Sequence, residues 1–264
     1  LVVLIGYDFF FNPKTQKNNQ IQNIEKPIDN QLDDKNVPIL ESKESVNNNI
    51  FEEKRVTFES QRIQGSINLY GATFDDLSLK DYYETINKNE KIKVLSKEKS
   101  NKPYFLRLGW ASTDRKVVMP GKDSLWKADK ASYKINDEIN LAWDNGSGLK
   151  FKRKINIDEN FMILVEDEVI NKSGDTIELT NFSYLRRKNY RPQNKFFILH
   201  EGPLGVFNDT LKEVSYEEIE EENAIVEITK NGWIGYTDHY WQVTIFPEND
   251  QPFKARFKNL KNDP

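Results

Sequence analysis

Cysteine is absent from the 264-residue sequence, and histidine occurs only 2 times. Without cysteine there is no disulfide framework, no thiolate zinc site and no cysteine nucleophile. The absence does not fix the compartment; an oxidising one would do no harm. So few histidines nearly exclude a histidine-rich metal site. A surplus of positive charge is also missing: Lys and Arg number 38 against 42 Asp and Glu, for a formal net charge of -4. General nucleic-acid binding needs a basic face that releases counterions, so this balance argues against it. There is no phosphate-binding loop, no dinucleotide glycine fingerprint and no Gly-x-Ser-x-Gly elbow. Apolar residues make up 37%, below the usual share for a globular domain, which points to an unpacked tail. The aromatic share of 12% is too high for a chain disordered throughout.

The most strongly apolar run opens the chain, as Leu1-Val2-Val3-Leu4-Ile5-Gly6-Tyr7 followed by Phe9-Phe10-Phe11. It is shorter than the roughly 20 residues that span a bilayer. It lacks the basic flank and the small-residue cleavage site of a signal peptide. Tyr7 and the Phe triplet lie at its polar end, where an aromatic belt sits at a membrane interface. No turn chemistry follows that would fold the run back. Residues 1–11 are therefore expected to be the exit end of a transmembrane helix that begins before Leu1, with an apolar first core strand as the alternative. Residues 12–50 are rich in Asn, Gln, Lys, Asp and Glu, and Pro13, Pro27 and Pro38 interrupt any helix. Such a stretch cannot bury enough surface to offset its ordering entropy, and a flexible polar linker is expected.

Over residues 51–264 the pattern changes to period two, the signature of half-buried strands. Val56 alternates with Phe58, Ile67 with Leu69, and Leu77 with Leu79. Tyr104, Leu106, Leu108 and Trp110 share one face, with Arg107 on the other. Ile139, Leu141 and Trp143 run into Asp144-Asn145-Gly146-Ser147-Gly148, and Leu149, Phe151, Arg153 and Ile155 run out. Asn-Gly tolerates the positive φ angles of a tight turn, so this is a hairpin. Strands are also expected over Phe161 to Ile170, from Ile177 to Tyr184, and at Trp241, Val243 and Ile245. Asp81 to Asn87 has room for one helical turn, and no helix longer than two turns is expected. Many strands with closely spaced turns predict an all-β sandwich. Phe253, Ala255 and Phe257 alternate near the end, so the sandwich is expected to be completed beyond Pro264.

Four groups of residues have the types that carry chemistry. His200-Glu201 and Asp238-His239 could perform general acid–base work if they met, although nothing in the sequence brings them together. Local hydrogen bonding of loop histidines is the competing reading. Glu166 and Glu168 share a strand face, with Asp167 opposite. A paired-carboxylate glycosidase site is conceivable there, against the simpler reading of a solvated strand face. Glu217, Glu218, Glu220, Glu221 and Glu222 read as a solvated edge that discourages aggregation. Arg186, Arg187, Lys188 and Arg191, interleaved with Tyr184, Tyr190 and Pro192, form a basic aromatic stretch between strands. It could face anionic lipid or an acidic partner, and an ordinary exposed loop is the alternative. Residues alone support a tethered, all-β binding module, with no catalytic residue and no metal ligand assigned.

Two longer strings go further. Gly65-Ser66-Ile67-Asn68-Leu69-Tyr70-Gly71-Ala72-Thr73-Phe74-Asp75-Asp76-Leu77-Ser78-Leu79-Lys80-Asp81-Tyr82 resembles the opening of the periplasmic domain in the YidC family of bacterial membrane protein insertases. Gly232-Trp233-Ile234-Gly235-Tyr236-Thr237-Asp238-His239-Tyr240-Trp241 is similar to a later stretch of that domain. Met119-Pro120-Gly121, Leu141 to Gly146 and Ile198 to Gly202 recur between them in the family's order. His239 stands where the family more often has Lys, and Phe74 where an aliphatic residue is usual. The resemblance implies a large antiparallel β-supersandwich of mutarotase-like fold. It also implies an inner-membrane protein with this domain in the periplasm, beside the Sec translocon and its accessory subunits. The lipid bilayer would be reached through the N-terminal helix. Nascent inner-membrane proteins would be the clients of a membrane-embedded core that this sequence does not contain, so no insertase site is assigned. No cofactor and no enzymatic activity are implied. A carbohydrate-active, mutarotase-like enzyme or a sugar-binding periplasmic module is the alternative.

Overall fold

The computed structural model describes residues 54–188, 190, 200–248 and 251–260. The expected membrane-exit segment and linker, residues 1–50, lie outside them. In chain order the elements are β1 (Arg55–Glu59), β2 (Ile63–Asn68), β3 (Thr73–Tyr83), β4 (Lys91–Leu95), β5 (Tyr104–Ser112) and β6 (Lys127–Ala128). There follow β7 (Ser132–Tyr133), β8 (Ile139–Asp144), β9 (Leu149–Ile157), β10 (Ile163–Asn171) and β11 (Leu179–Arg187). The remainder is β12 (Gly202–Phe207), β13 (Thr210–Glu213), α1 (Tyr216–Glu222), β14 (Ala224–Thr229), β15 (Gly232–Thr237), β16 (Gln242–Ile245) and β17 (Phe253–Lys258).

These strands form four sheets. The first runs β11-β5-β3-β2-β1-β7, with β4 also on β3; the second runs β10-β9-β8-β6. The third runs β13-β12-β15-β16, and β14 and β17 make a two-stranded ribbon. Pairing is antiparallel except for the short β1–β7 contact. The period-two faces meet as expected. Val56, Phe58, Ile67, Leu77 and Leu79 from the first sheet join Ile139, Leu141, Phe151 and Ile155 from the second in one buried cluster. A smaller cluster gathers Phe207, Val214, Ile219, Ile225, Ala255 and Phe257. Tyr236 and Val243 of the third sheet pack against the larger cluster and Ile234 against the smaller, so that sheet serves both.

The two family-like strings open on glycines for a steric reason. A Cβ at Gly65 would sit 2.1 Å from the Asp76 carbonyl oxygen, and one at Gly232 would sit 1.8 Å from that of Val206. Only glycine lets the neighbouring strand pass so close. Between Ser66 and Ile67 the β2–β3 register slips, which leaves Asp75 as an extra residue. Asp75 is buried and bound by Arg55.

Two sequence expectations change. The acidic run is a helix rather than a solvated edge: Ser215 caps α1, accepting from Glu218 N while Glu218 Oε2 accepts from Ser215 N. This capping box satisfies two end donors, and Ile219 anchors the helix in the smaller core. The Ser215-x-x-Glu218 spacing carried that signal. The turn proposed over Asp81 to Asn87 is not helical, because β3 continues to Tyr83 and pairs with Lys91.

Candidate functional site

The basic stretch and the two histidine-containing pairs converge at one place. Arg186 and Arg187 are the last residues of β11, not loop residues. Arg187 lies opposite Tyr104 on β5, and the Lys188 amide donates to the Pro103 carbonyl at 2.9 Å, which fixes the strand end. Arg187 Nη2 donates to Asp238 Oδ2 at 2.6 Å. Asp238 follows β15, where its amide closes a turn onto the Trp241 carbonyl at 2.8 Å. The guanidinium lies 3.5 Å from the Tyr190 ring centre and 4.7 Å from that of Tyr104. Aromatic faces attract a cation, more strongly when water is excluded.

The contacts continue through the tyrosines. Tyr190 donates its hydroxyl to Glu201 Oε2 at 2.7 Å, and His239 Nδ1 lies 3.2 Å from Glu201 Oε1. Tyr104 packs edge-on against Tyr236, and Tyr190 lies beside Tyr216 of α1. Burial pushes the hydroxyls of Tyr104, Tyr216 and Tyr236 above their ordinary range, with Arg187 opposing that rise. For Tyr190, burial comes first and the bond to Glu201 adds to it. A neutral phenol is the form that low dielectric favours. The Tyr104 and Tyr216 hydroxyls are buried without a hydrogen-bond partner.

This arrangement ties the ends of β5 and β11 to the third sheet and to α1. His239 reaches Glu201, but the His200 ring turns away: its Nε2 lies 2.9 Å from the Pro203 carbonyl oxygen. A carbonyl only accepts, so that nitrogen carries the proton and donates it there. The arrangement does not aim an acid and a base at one shared space. Arg186 and Lys188 are half-buried beside the joint, and Arg191 lies outside the described residues. The participation of Tyr104, Tyr216 and Tyr236 had no local signal, since Arg187 and Asp238 are 51 positions apart.

The carboxylates of β10 do not form an acid–base pair. Glu166 and Glu168 are exposed, and Glu168 pairs with Lys152. Asp167 points inward to Arg153, which is 0% exposed. Arg153 Nε and Nη2 each donate to Asp167 at 2.7 Å, Nη2 reaches the Leu108 carbonyl at 3.3 Å, and Trp110 Nε1 donates to Asp167 at 2.9 Å. This pair fastens the second sheet to the first. Among the described residues no group of three His, Cys, Asp or Glu is placed to hold a metal ion. No helix among them is long and apolar enough to cross a membrane.

Comparison with known proteins agrees with this layout. The family model described as YidC periplasmic domain matches residues 55–263, starting where β1 starts. A membrane protein insertase YidC from Granulibacter bethesdensis is 34% identical over 215 residues, covering 78% of this chain and 37% of the relative. One from Rickettsia bellii is 29% identical over 260 residues, covering 97% of this chain and 46% of the relative. One from Beijerinckia indica is 34% identical over 279 residues, with the same two shares of 97% and 46%. The chain thus spans less than half the length of these relatives. With an all-β architecture, glycines where strands crowd, and a match that covers every described strand, the chain belongs to the YidC periplasmic domain family.

Proposed function

We propose that this chain is the periplasmic docking and structural module of a YidC-type membrane protein insertase. Its setting is the bacterial inner membrane, beside the Sec translocon and its accessory subunits. In this reading the domain makes and breaks no bonds, and nascent inner-membrane proteins are handled by a membrane-embedded part. The observation that carries the reading is the joint itself. The side chains with the chemistry of catalysis, Glu201, Asp238 and His239, bind Tyr190, Arg187 and each other, and hold two sheets together. Such groups serve rigidity, and a rigid β body with cations at its edge suits recognition. Arg186, Lys188 and Arg191 are the residues assigned to the partner, while Arg187, bound to Asp238, fixes the end of β11.

The test is made in the full-length protein in native membranes. Lys188→Glu with Arg191→Glu should reduce co-purification of translocon subunits several-fold while thermal unfolding stays unchanged. Undiminished recovery from a folded variant rejects the assignment of these cations to the partner.

A further inference from the structure

The β14–β17 ribbon has two unlike faces. Its inward positions, Ile225, Ala255 and Phe257, are buried in the smaller core, where Ile219 of α1 joins them. The outward positions pair in register as Ala224 with Lys258, Val226 with Arg256, and Ile228 with Lys254. Every outward rung therefore sets an aliphatic residue against a cation. Val226 and Ile228 are 43% and 48% exposed, and no acidic residue occupies an outward position on either strand. The acidic residue of β14, Glu227, sits on the inward side and binds Lys212 at 2.6 Å. On the far side of the same core, α1 carries Glu217, Glu218, Glu220, Glu221 and Glu222. The unit is thus divided by charge, cationic and aliphatic on one side and acidic on the other.

We propose that the outward face of the β14–β17 ribbon docks on an anionic lipid bilayer. This rests on the membrane setting proposed above. The chemistry is complementary in two ways: Lys and Arg attract anionic headgroups, and the aliphatic side chains between them enter the apolar boundary just beneath. The glutamates of α1 are repelled by the same surface, so the charge division also sets the orientation.

Absence of native cysteine allows a single label. Val226→Cys, Ile228→Cys and, as control, Glu221→Cys are prepared in the 264-residue chain and labelled with a polarity-sensitive fluorophore. With vesicles of phosphatidylglycerol and phosphatidylcholine in equal parts, the labels at 226 and 228 should brighten several-fold and shift to the blue. The label at 221 should not respond. The response should be lost in high salt, on pure phosphatidylcholine, and after Arg256→Glu with Lys258→Glu. Equal brightening at 221 would place the contact elsewhere on the chain and overturn the proposal, as would a response indifferent to headgroup charge. Dark ribbon labels on vesicles, with shielding of the same labels by a protein in intact membranes, would assign the face to a protein and also overturn it. Failure here leaves translocon co-purification untouched, so the two proposals fall separately.

Discussion

Two of the arginine–aspartate pairs, one inside a hairpin and one between sheets, differ in every respect except the chemistry of the bond. Arg153 and Asp167 face each other across adjacent strands of a hairpin, 14 positions apart. The guanidinium is 0% exposed and the carboxylate 16%. Arg187 and Asp238 come from different sheets, and their side chains are 13% and 28% exposed. The first pair uses a two-pronged bond, adds a Trp donor and a backbone acceptor, and lies over the Trp126 ring. The second uses one bond and relies on two tyrosine rings. A buried charge is tolerated only when its hydrogen bonds are met. The hairpin pair meets nearly all of them, though Arg153 Nη1 is buried without a partner. At the joint, aromatic faces and residual solvent take over that task.

The comparison predicts unequal costs. Arg153→Met should have the largest effect, about 4 kcal/mol in equilibrium denaturation, because it leaves the Asp167 carboxylate enclosed and unpaired. Adding Asp167→Leu should recover much of that loss. A cost no larger than that of a surface substitution would show that the pair is not a fastening. Arg187→Met should cost less, about 2 kcal/mol, since water reaches Asp238. A double-mutant cycle with Asp238→Asn should give a coupling that shrinks as salt is added, whereas the Arg153–Asp167 coupling should not respond. Equal salt sensitivity would erase the distinction between the two sites.

At neutral pH the smallest effect belongs to the buried tyrosines, whose contribution emerges only at alkaline pH. Tyr133, buried and donating to Asp129, is pushed up to about 12 from an ordinary value of 10.0. Tyr104 and Tyr236 are raised by burial as well. A raised folded-state value means full stability below the unfolded value and loss as pH climbs toward the folded one. Above pH 10, each such tyrosine should lower stability by about 1.4 kcal/mol per pH unit. For Tyr133 the window closes near pH 12. Tyr104→Phe removes a hydroxyl without a partner, so it should be close to neutral at pH 7 and flatten the alkaline slope. A profile unchanged by that substitution would remove Tyr104 from the account.

Much of the larger sandwich was legible in the residues. The face of Tyr104, Leu106, Leu108 and Trp110 packs into the main core as its alternation requires. The Asn145-Gly146 turn joins β8 to β9. Arg153 could be seen to share a face with Phe151 and Ile155, yet alternation does not say that its partner is Asp167 on the next strand. The helix over Glu217 to Glu222 was hidden by its charge, although the capping box was there to be read. The joint was legible only as fragments: a basic stretch, a His-Glu pair and an Asp-His pair with no stated relation.

By itself, the sequence determined the all-β class and the hairpins, because side-chain alternation and turn chemistry act between near neighbours, and its two longer strings carried the resemblance to the family. Tertiary structure alone decided that Arg187, Glu201, Asp238 and His239 meet, and that the last ribbon sets aliphatic and cationic residues on one outward face. Those relations depend on which strands lie side by side, and sheet pairing is fixed by packing of the whole core rather than by any local pattern.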